Sequence, residues 1–176
     1  MHRHSRIAGF TLIEMVAVVV IISLFAAIVI VKVDSVLPSC RIRQTARQVG
    51  LNIQAAKSCA RREGGEMEIV YDFDNNRCRV IPAGGDEDAD PDEIALNTCD
   101  LPDGIRLQDV ELSDLTIIET GRLRISVSTA GLINPHYVHI VSDEGRTFTI
   151  MVRMMSGIVE YREGRFKPEH SYAQAD

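Results

Sequence analysis

The chain has 176 residues, a formal net charge of −6 and 45% hydrophobic residues, too apolar for a disordered chain and long enough for one ordinary domain beside a membrane segment. Its acidic balance, with no long basic run away from one helix flank, argues against nucleic acid as a partner. The chain starts with a short basic leader, residues 1–9, in which His2, Arg3, His4 and Arg6 precede Gly9. From Phe10 to Val31 a single charge, Glu14, interrupts an otherwise uncharged and mostly apolar run. As a helix rising about 1.5 Å per residue, the uncharged part between Glu14 and Lys32 covers about 26 Å and the whole run from Phe10 about 33 Å, enough to cross a bilayer. Glu14 is the anomaly, because an acid at membrane depth costs on the order of 2.5 to 3.5 kcal/mol. A cut between Gly9 and Phe10 would place a new ammonium close to that carboxylate, in the same chain or in a neighbouring copy. It would also leave the helix on the mature protein, whereas an ordinary secretory signal is cut after its apolar core.

Gly9-Phe10-Thr11-Leu12-Ile13-Glu14, behind a basic leader and ahead of an apolar helix, resembles the class III signal of type IV pilins and type II secretion pseudopilins. The resemblance implies cleavage after Gly9 by a prepilin peptidase, N-methylation of Phe10, and a part for Glu14 in subunit assembly. The partners it implies are other pseudopilins or pilins, an inner-membrane assembly platform and the lipid bilayer, with residues 10–31 as the transmembrane and assembly helix. Charge leaves the orientation open, because Arg3 and Arg6 on one side are answered by Lys32, Arg41 and Arg43 on the other. The resemblance places the C-terminal domain in the periplasm. Many major pilins carry a proline inside the apolar segment, and this chain has none there.

Residues 32–63 read as an amphipathic continuation of the helix. Ile42, Ala46, Val49, Ile53, Ala56 and Ala60 recur at alternating steps of four and three, while Arg43, Arg47, Gln54, Lys57, Arg61 and Arg62 fall on faces expected to meet water. Pro38 marks an expected break or kink, and Gly64-Gly65 the end. Four cysteines, Cys40, Cys59, Cys78 and Cys99, are compatible with disulfides in an oxidising compartment. On one helix Cys40 and Cys59 stand roughly 28 Å apart and cannot bridge. That leaves Cys78 with Cys99, crossed pairings to the helix, or buried free thiols.

Beyond the glycines the period becomes twofold. Met67, Ile69, Tyr71 and Phe73 alternate with Glu66, Glu68, Val70 and Asp72, and Asp74-Asn75-Asn76 turns the chain into Arg77–Ile81, which reads as a hairpin. Further strands are expected over 123–127, 137–142, 148–152 and 158–162, separated by turns at short intervals that suit antiparallel pairing. The fold expected is therefore α+β, a long N-terminal helix packed on an antiparallel β-rich head over 64–167, with a polar tail over 168–176. Leu101-Pro102-Asp103-Gly104-Ile105, the strand Leu123 to Val127 running into Ala130-Gly131-Leu132, and Tyr137 to Gly157 resemble the head of H-type minor pseudopilins and the related FimT-like minor pilins.

Little in the chain suggests chemistry. The run from Gly84 to Glu93 could offer oxygen ligands to calcium, but an EF-type loop counted from Asp86 would need glycine where Pro91 stands, so a solvated loop is expected. His136 and His139 read as surface or strand histidines, and no GxSxG, Walker or zinc-protease motif occurs. No cofactor, metal or catalytic residue is expected. The reading is a non-enzymatic fibre subunit, with a membrane-anchored periplasmic binding domain or a type IV pilus subunit as alternatives.

Overall fold

The computed structural model describes residues 11–84, 94–153 and 158–166, with the side chains of 26–38 excepted. The leader, Phe10, the acidic run over 85–93 and the polar tail lie outside the described residues. One helix, α1 (Leu12–Glu63), is followed among the described residues by β1 (Met67–Asp72), β2 (Arg77–Pro82), β3 (Asn97–Asp100), β4 (Ile105–Leu112), β5 (Ile117–Ile118), β6 (Arg122–Val127), β7 (His136–Ser142), β8 (Thr147–Val152) and β9 (Val159–Glu163). The chain divides into two compact units, Met1–Pro38 and Ser39–Asp176.

In the first unit every described side chain from Leu12 to Phe25 is exposed. No break occurs at Pro38, because α1 is continuous through it. A proline deletes one backbone hydrogen bond, and turns bonded on both sides can carry that loss. The boundary between the units nevertheless falls directly after it.

In the second unit the expected stripe is the core-facing side of α1. Ile42, Ala46, Val49, Ile53, Ala56 and Ala60 are all buried, in one cluster with residues of both sheets. Small residues at three of the six positions allow close approach, and Gly50 allows the closest: a Cβ there would overlap the Tyr161 hydroxyl from β9. One polar-face expectation fails. Lys57 is buried rather than water-facing, and desolvation, then the charge of Arg61, lowers its pKa. Gly64, with φ of 65°, takes the left-handed conformation that ends the helix.

The strands form two antiparallel sheets, ordered β3-β2-β1-β6 and β5-β4-β7-β8-β9. The β1–β2 hairpin, β6, β7, β8 and β9 stand where the twofold period puts them, within one or two residues. The period misses β3, β4 and β5. In β4 a register shift between Leu107 and Asp109 moves the inward face from Ile105 and Leu107 to Val110, so strict alternation breaks in mid-strand. Two acids, Asp109 and Glu111, are also buried there, which disguises the strand further.

Candidate functional site

The N-terminal turn of α1 is built by Thr11. Its backbone carbonyl accepts from the amides of Glu14 (3.1 Å) and Met15 (3.2 Å), and its Oγ1 accepts more weakly from the Glu14 amide at 3.4 Å. Thr11-Leu12-Ile13-Glu14 thus has the spacing of a capping box, a signal readable in the sequence from the threonine three places before the acid. Glu14 lies in the first helical turn, where the helix dipole favours a negative charge by about 0.3 to 1 kcal/mol. That gain is smaller than the cost of an acid in hydrocarbon. Among the described residues no side chain pairs with the Glu14 carboxylate, which is exposed together with Leu12 (84%) and Ile13 (77%). The other two expected site residues, Gly9 and Phe10, lie outside the described residues.

From Leu12 to Phe25 the exposed surface of the helix is apolar apart from Glu14 and Ser23. A surface of this kind marks contact with a membrane or with other helices. Among the described residues no helix is long and apolar enough to cross a membrane. Side chains are described up to Phe25 and again from Ser39, and the apolar sequence Ala26 to Val31 of the expected span falls between.

The head encloses polar groups that the sequence does not announce. Tyr71 of β1 and His136 of β7 meet between the two sheets, with the Tyr71 hydroxyl 2.9 Å from Nε2 and the Asn134 carbonyl 2.8 Å from Nδ1. A carbonyl can only accept, so Nδ1 carries the hydrogen and Nε2 accepts from the tyrosine. Burial brings the His136 pKa down to about 4, although the bond to Asn134 works the other way. Both histidines expected on a surface or a strand are in β7 and fully buried, so the surface half of that reading is corrected. They sit inside because each has partners: His139 Nδ1 is 2.6 Å from Asp109 Oδ1, and its Nε2 faces the Phe166 carbonyl at 3.3 Å.

Around His139 the chain after β9 is tied down. Arg165 reaches the other Asp109 oxygen at 3.1 Å, Thr149 donates to the Gly164 carbonyl at 2.7 Å, and the Phe166 amide donates back to Thr149 Oγ1. This Asp–His pair holds a strap of backbone, with Nδ1 facing Asp109 and Nε2 facing the Phe166 carbonyl. Asp72 plays a similar part in the other sheet, accepting from the Asn75 amide and side chain and lying near Arg79 and Arg122. Burial raises its pKa, but the Asn75 hydrogen bonds and the Arg122 and Arg79 charges outweigh burial and leave the group below its ordinary range. Asn76, with φ of 54°, joins the sheets by donating to the Ile105 carbonyl at 2.7 Å and accepting from the Leu107 amide at 2.8 Å.

Of the cysteines, Cys40 and Cys59 are on α1, while Cys78 and Cys99 stand opposite one another in β2 and β3. All four are free thiols in this structure. Among the described residues no group of three or more His, Cys, Asp or Glu side chains is placed to hold a metal ion. The acidic run considered for calcium lies outside them.

The N-terminal helix and the two antiparallel sheets make up an α+β, pilin-like fold. A profile of the prokaryotic N-terminal methylation motif matches residues 4–30, the stretch that includes Gly9, Phe10 and Glu14. The fold is that of the minor pseudopilin EpsH from the type 2 secretion system of Vibrio cholerae. Two structures of EpsH superpose with a TM-score of 0.53 each, at 16% and 14% sequence identity, covering 69% of this chain and 94% and 95% of theirs. A comparison with curated protein sequences finds no match.

Proposed function

We propose that the protein is a minor pseudopilin, a structural subunit of the periplasmic pseudopilus of a type II secretion system, and that it supports protein export. The observation that carries this reading is the occurrence in one chain of a prepilin-type methylation motif and a head with the fold of a minor pseudopilin. In this reading a prepilin peptidase cuts between Gly9 and Phe10 and the new N-terminus is methylated. The helix over 10–31 sits in the inner membrane, the head lies in the periplasm, and the assembly platform passes the subunit into a fibre with other pseudopilins.

Glu14 then has a task that a simple anchor would not need. In a bundle of such helices its carboxylate can meet the Phe10 ammonium of a neighbouring subunit. At about 4 Å and an effective dielectric of about 20 the pair attracts by about 4 kcal/mol, from which two desolvation costs are subtracted. The pair therefore sets register more than it adds stability, since a subunit docked one turn out of step leaves two charges unpaired in apolar surroundings.

The test is Glu14→Ala. The variant inserts at least as well as the parent, because the run becomes more apolar. It should still be cut after Gly9, yet lose crosslinks to other pilin-like subunits and fail to support secretion. Unchanged crosslinking and secretion would favour a membrane-anchored periplasmic domain. Mass spectrometry of the mature N-terminus checks the processing step independently, and an intact Met1 or a cut after Ala27 would refute it.

A further inference from the structure

We propose that Cys78 and Cys99 form a cross-strand disulfide in the mature protein, stapling the edge strand β3 to β2 and closing the chain segment that carries the acidic run. The oxidising compartment this requires comes from the periplasmic placement of the head proposed above. The pairing itself comes from the geometry of the sheet.

Cys78 and Cys99 are directly opposed in antiparallel register, so their side chains leave the sheet on the same face. The neighbouring opposed pair Asn76 and Leu101 is hydrogen-bonded, the Leu101 amide donating to the Asn76 carbonyl at 3.1 Å. Hydrogen-bonded and non-bonded pairs alternate, which makes Cys78 and Cys99, two places along, a bonded pair as well. Such a pair has its Cα atoms about 5.5 Å apart, inside the range that disulfides span, while its Cβ atoms, up to about 5.5 Å apart, must close by about 1 Å as the S–S bond forms, a movement an edge strand can make. Both side chains face α1 and pack in or against the core. The alternatives left open by the sequence are less favoured by this arrangement. Cys40 is exposed on α1, and Cys59, seven residues beyond Asn52 on the same helix, lies about two turns past the side chain that reaches Cys78 through its carbonyl.

Access is one-sided. Cys78 is fully buried, while Cys99 is partly exposed and borders a groove of about 420 Å³ between Gln48, Leu51 and Asn52 of α1 and Thr98, Cys99 and Asp100 of β3. Oxidation therefore begins at Cys99. Its thiolate attacks the disulfide of a periplasmic thiol–disulfide oxidoreductase, forming a mixed disulfide and releasing one oxidoreductase thiolate. The Cys78 thiolate then attacks Cys99 Sγ and releases the second. The subunit loses two electrons and two protons, and the oxidoreductase disulfide becomes a dithiol. Burial pushes the Cys78 thiol up to about 12 and raises that of Cys99, with Asp100 adding to the latter, so both react slowly once the head has closed.

The full-length protein, produced in a bacterium with an oxidising periplasm, is denatured in a maleimide reagent without reductant. Label is expected on two of its four cysteines, and on all four after reduction. Cys99→Ser should label at three without reductant, and peptides from unreduced protein should show positions 78 and 99 linked. Four labels on unreduced protein whose N-terminus is methylated Phe10 would overturn the disulfide while leaving the pseudopilus reading intact. Four labels on protein that keeps Met1 would overturn both. A bridge from Cys99 to Cys40 or Cys59 would overturn the pairing.

Discussion

His136 makes the stability of the head depend on pH between the ordinary histidine range and its own lowered value. In the folded head the ring is neutral, giving its Nδ1 hydrogen to the Asn134 carbonyl and taking one from Tyr71 at Nε2. Protonation puts a hydrogen on Nε2 as well, so the Tyr71 hydroxyl must turn its own hydrogen away inside the core. The folded pKa is about 4 and the ordinary value 6.5. The unfolded chain thus binds the proton first as pH falls, and stability is lost from about pH 6.5 down to about pH 4, where the loss levels off. The difference corresponds to about 3 kcal/mol in full, of which about 2 kcal/mol is already lost by about pH 5.

The assay is urea unfolding of the head from Ser39 onward, a compact unit of its own, at pH 7.5 and pH 5, for the parent and for His136→Asn. The variant is less stable at pH 7.5, having lost the Tyr71 partner. Its stability should change between the two pH values by about 2 kcal/mol less than that of the parent. The other histidines and the carboxylates contribute equally to both proteins and cancel. Parallel curves would refute the argument, showing that His136 reaches water or a compensating anion.

At lower pH the sign for Asp72 is that of a carboxylate held below its ordinary range: it adds stability above about pH 4 that is lost as pH falls through its folded pKa, and Asp72→Asn should flatten this acid limb in the same urea assay. Gly50→Ala drives a methyl group into the Tyr161 hydroxyl and should cost about 1 to 3 kcal/mol, while adding Tyr161→Ala should cost less than the two single changes summed. Asp109→Ala strips the partner from buried His139 and from Arg165, and should cost about 3 kcal/mol or more and speed tryptic cleavage after Arg165 as the strap is released.

What the sequence revealed divides along physical lines. The helix stripe from Ile42 to Ala60 and the strands β6 to β9 were legible because burial on one face writes a period into the chain, and the periods of 3.6 and 2 differ. The N-terminal motif, matched over 4–30, was legible for another reason, since an acid in an apolar run is costly enough to stand out. β4 was missed because its bulge shifts the period in mid-strand and its buried acids look like surface. Lys57 was misplaced because a helical wheel assigns faces without knowing how far the sheets reach around the helix. Tyr71–His136, Asp109–His139–Phe166 and Asp72–Arg122 were invisible because their partners are 65, 30, 27 and 50 residues apart, and no local pattern relates them.

These buried polar contacts explain how a head of two modest sheets acquires one arrangement. Apolar burial in the cluster formed by α1 and both sheets is non-directional and tolerates sliding of one sheet over the other. The Tyr71–His136 bond and the two Asn76 bonds to β4 are directional and each connects the first sheet to the second. A slid arrangement would leave a buried hydroxyl, ring nitrogen or amide unpaired, at about 1 to 3 kcal/mol for each group. The same logic governs Glu14 in the proposed fibre: apolar helix surfaces supply attraction without register, and one polar pair penalises every register but one. Head and stem then use a common device, with the difference that the partners in the head are present within one chain, while the partner proposed for Glu14 arrives only with another subunit.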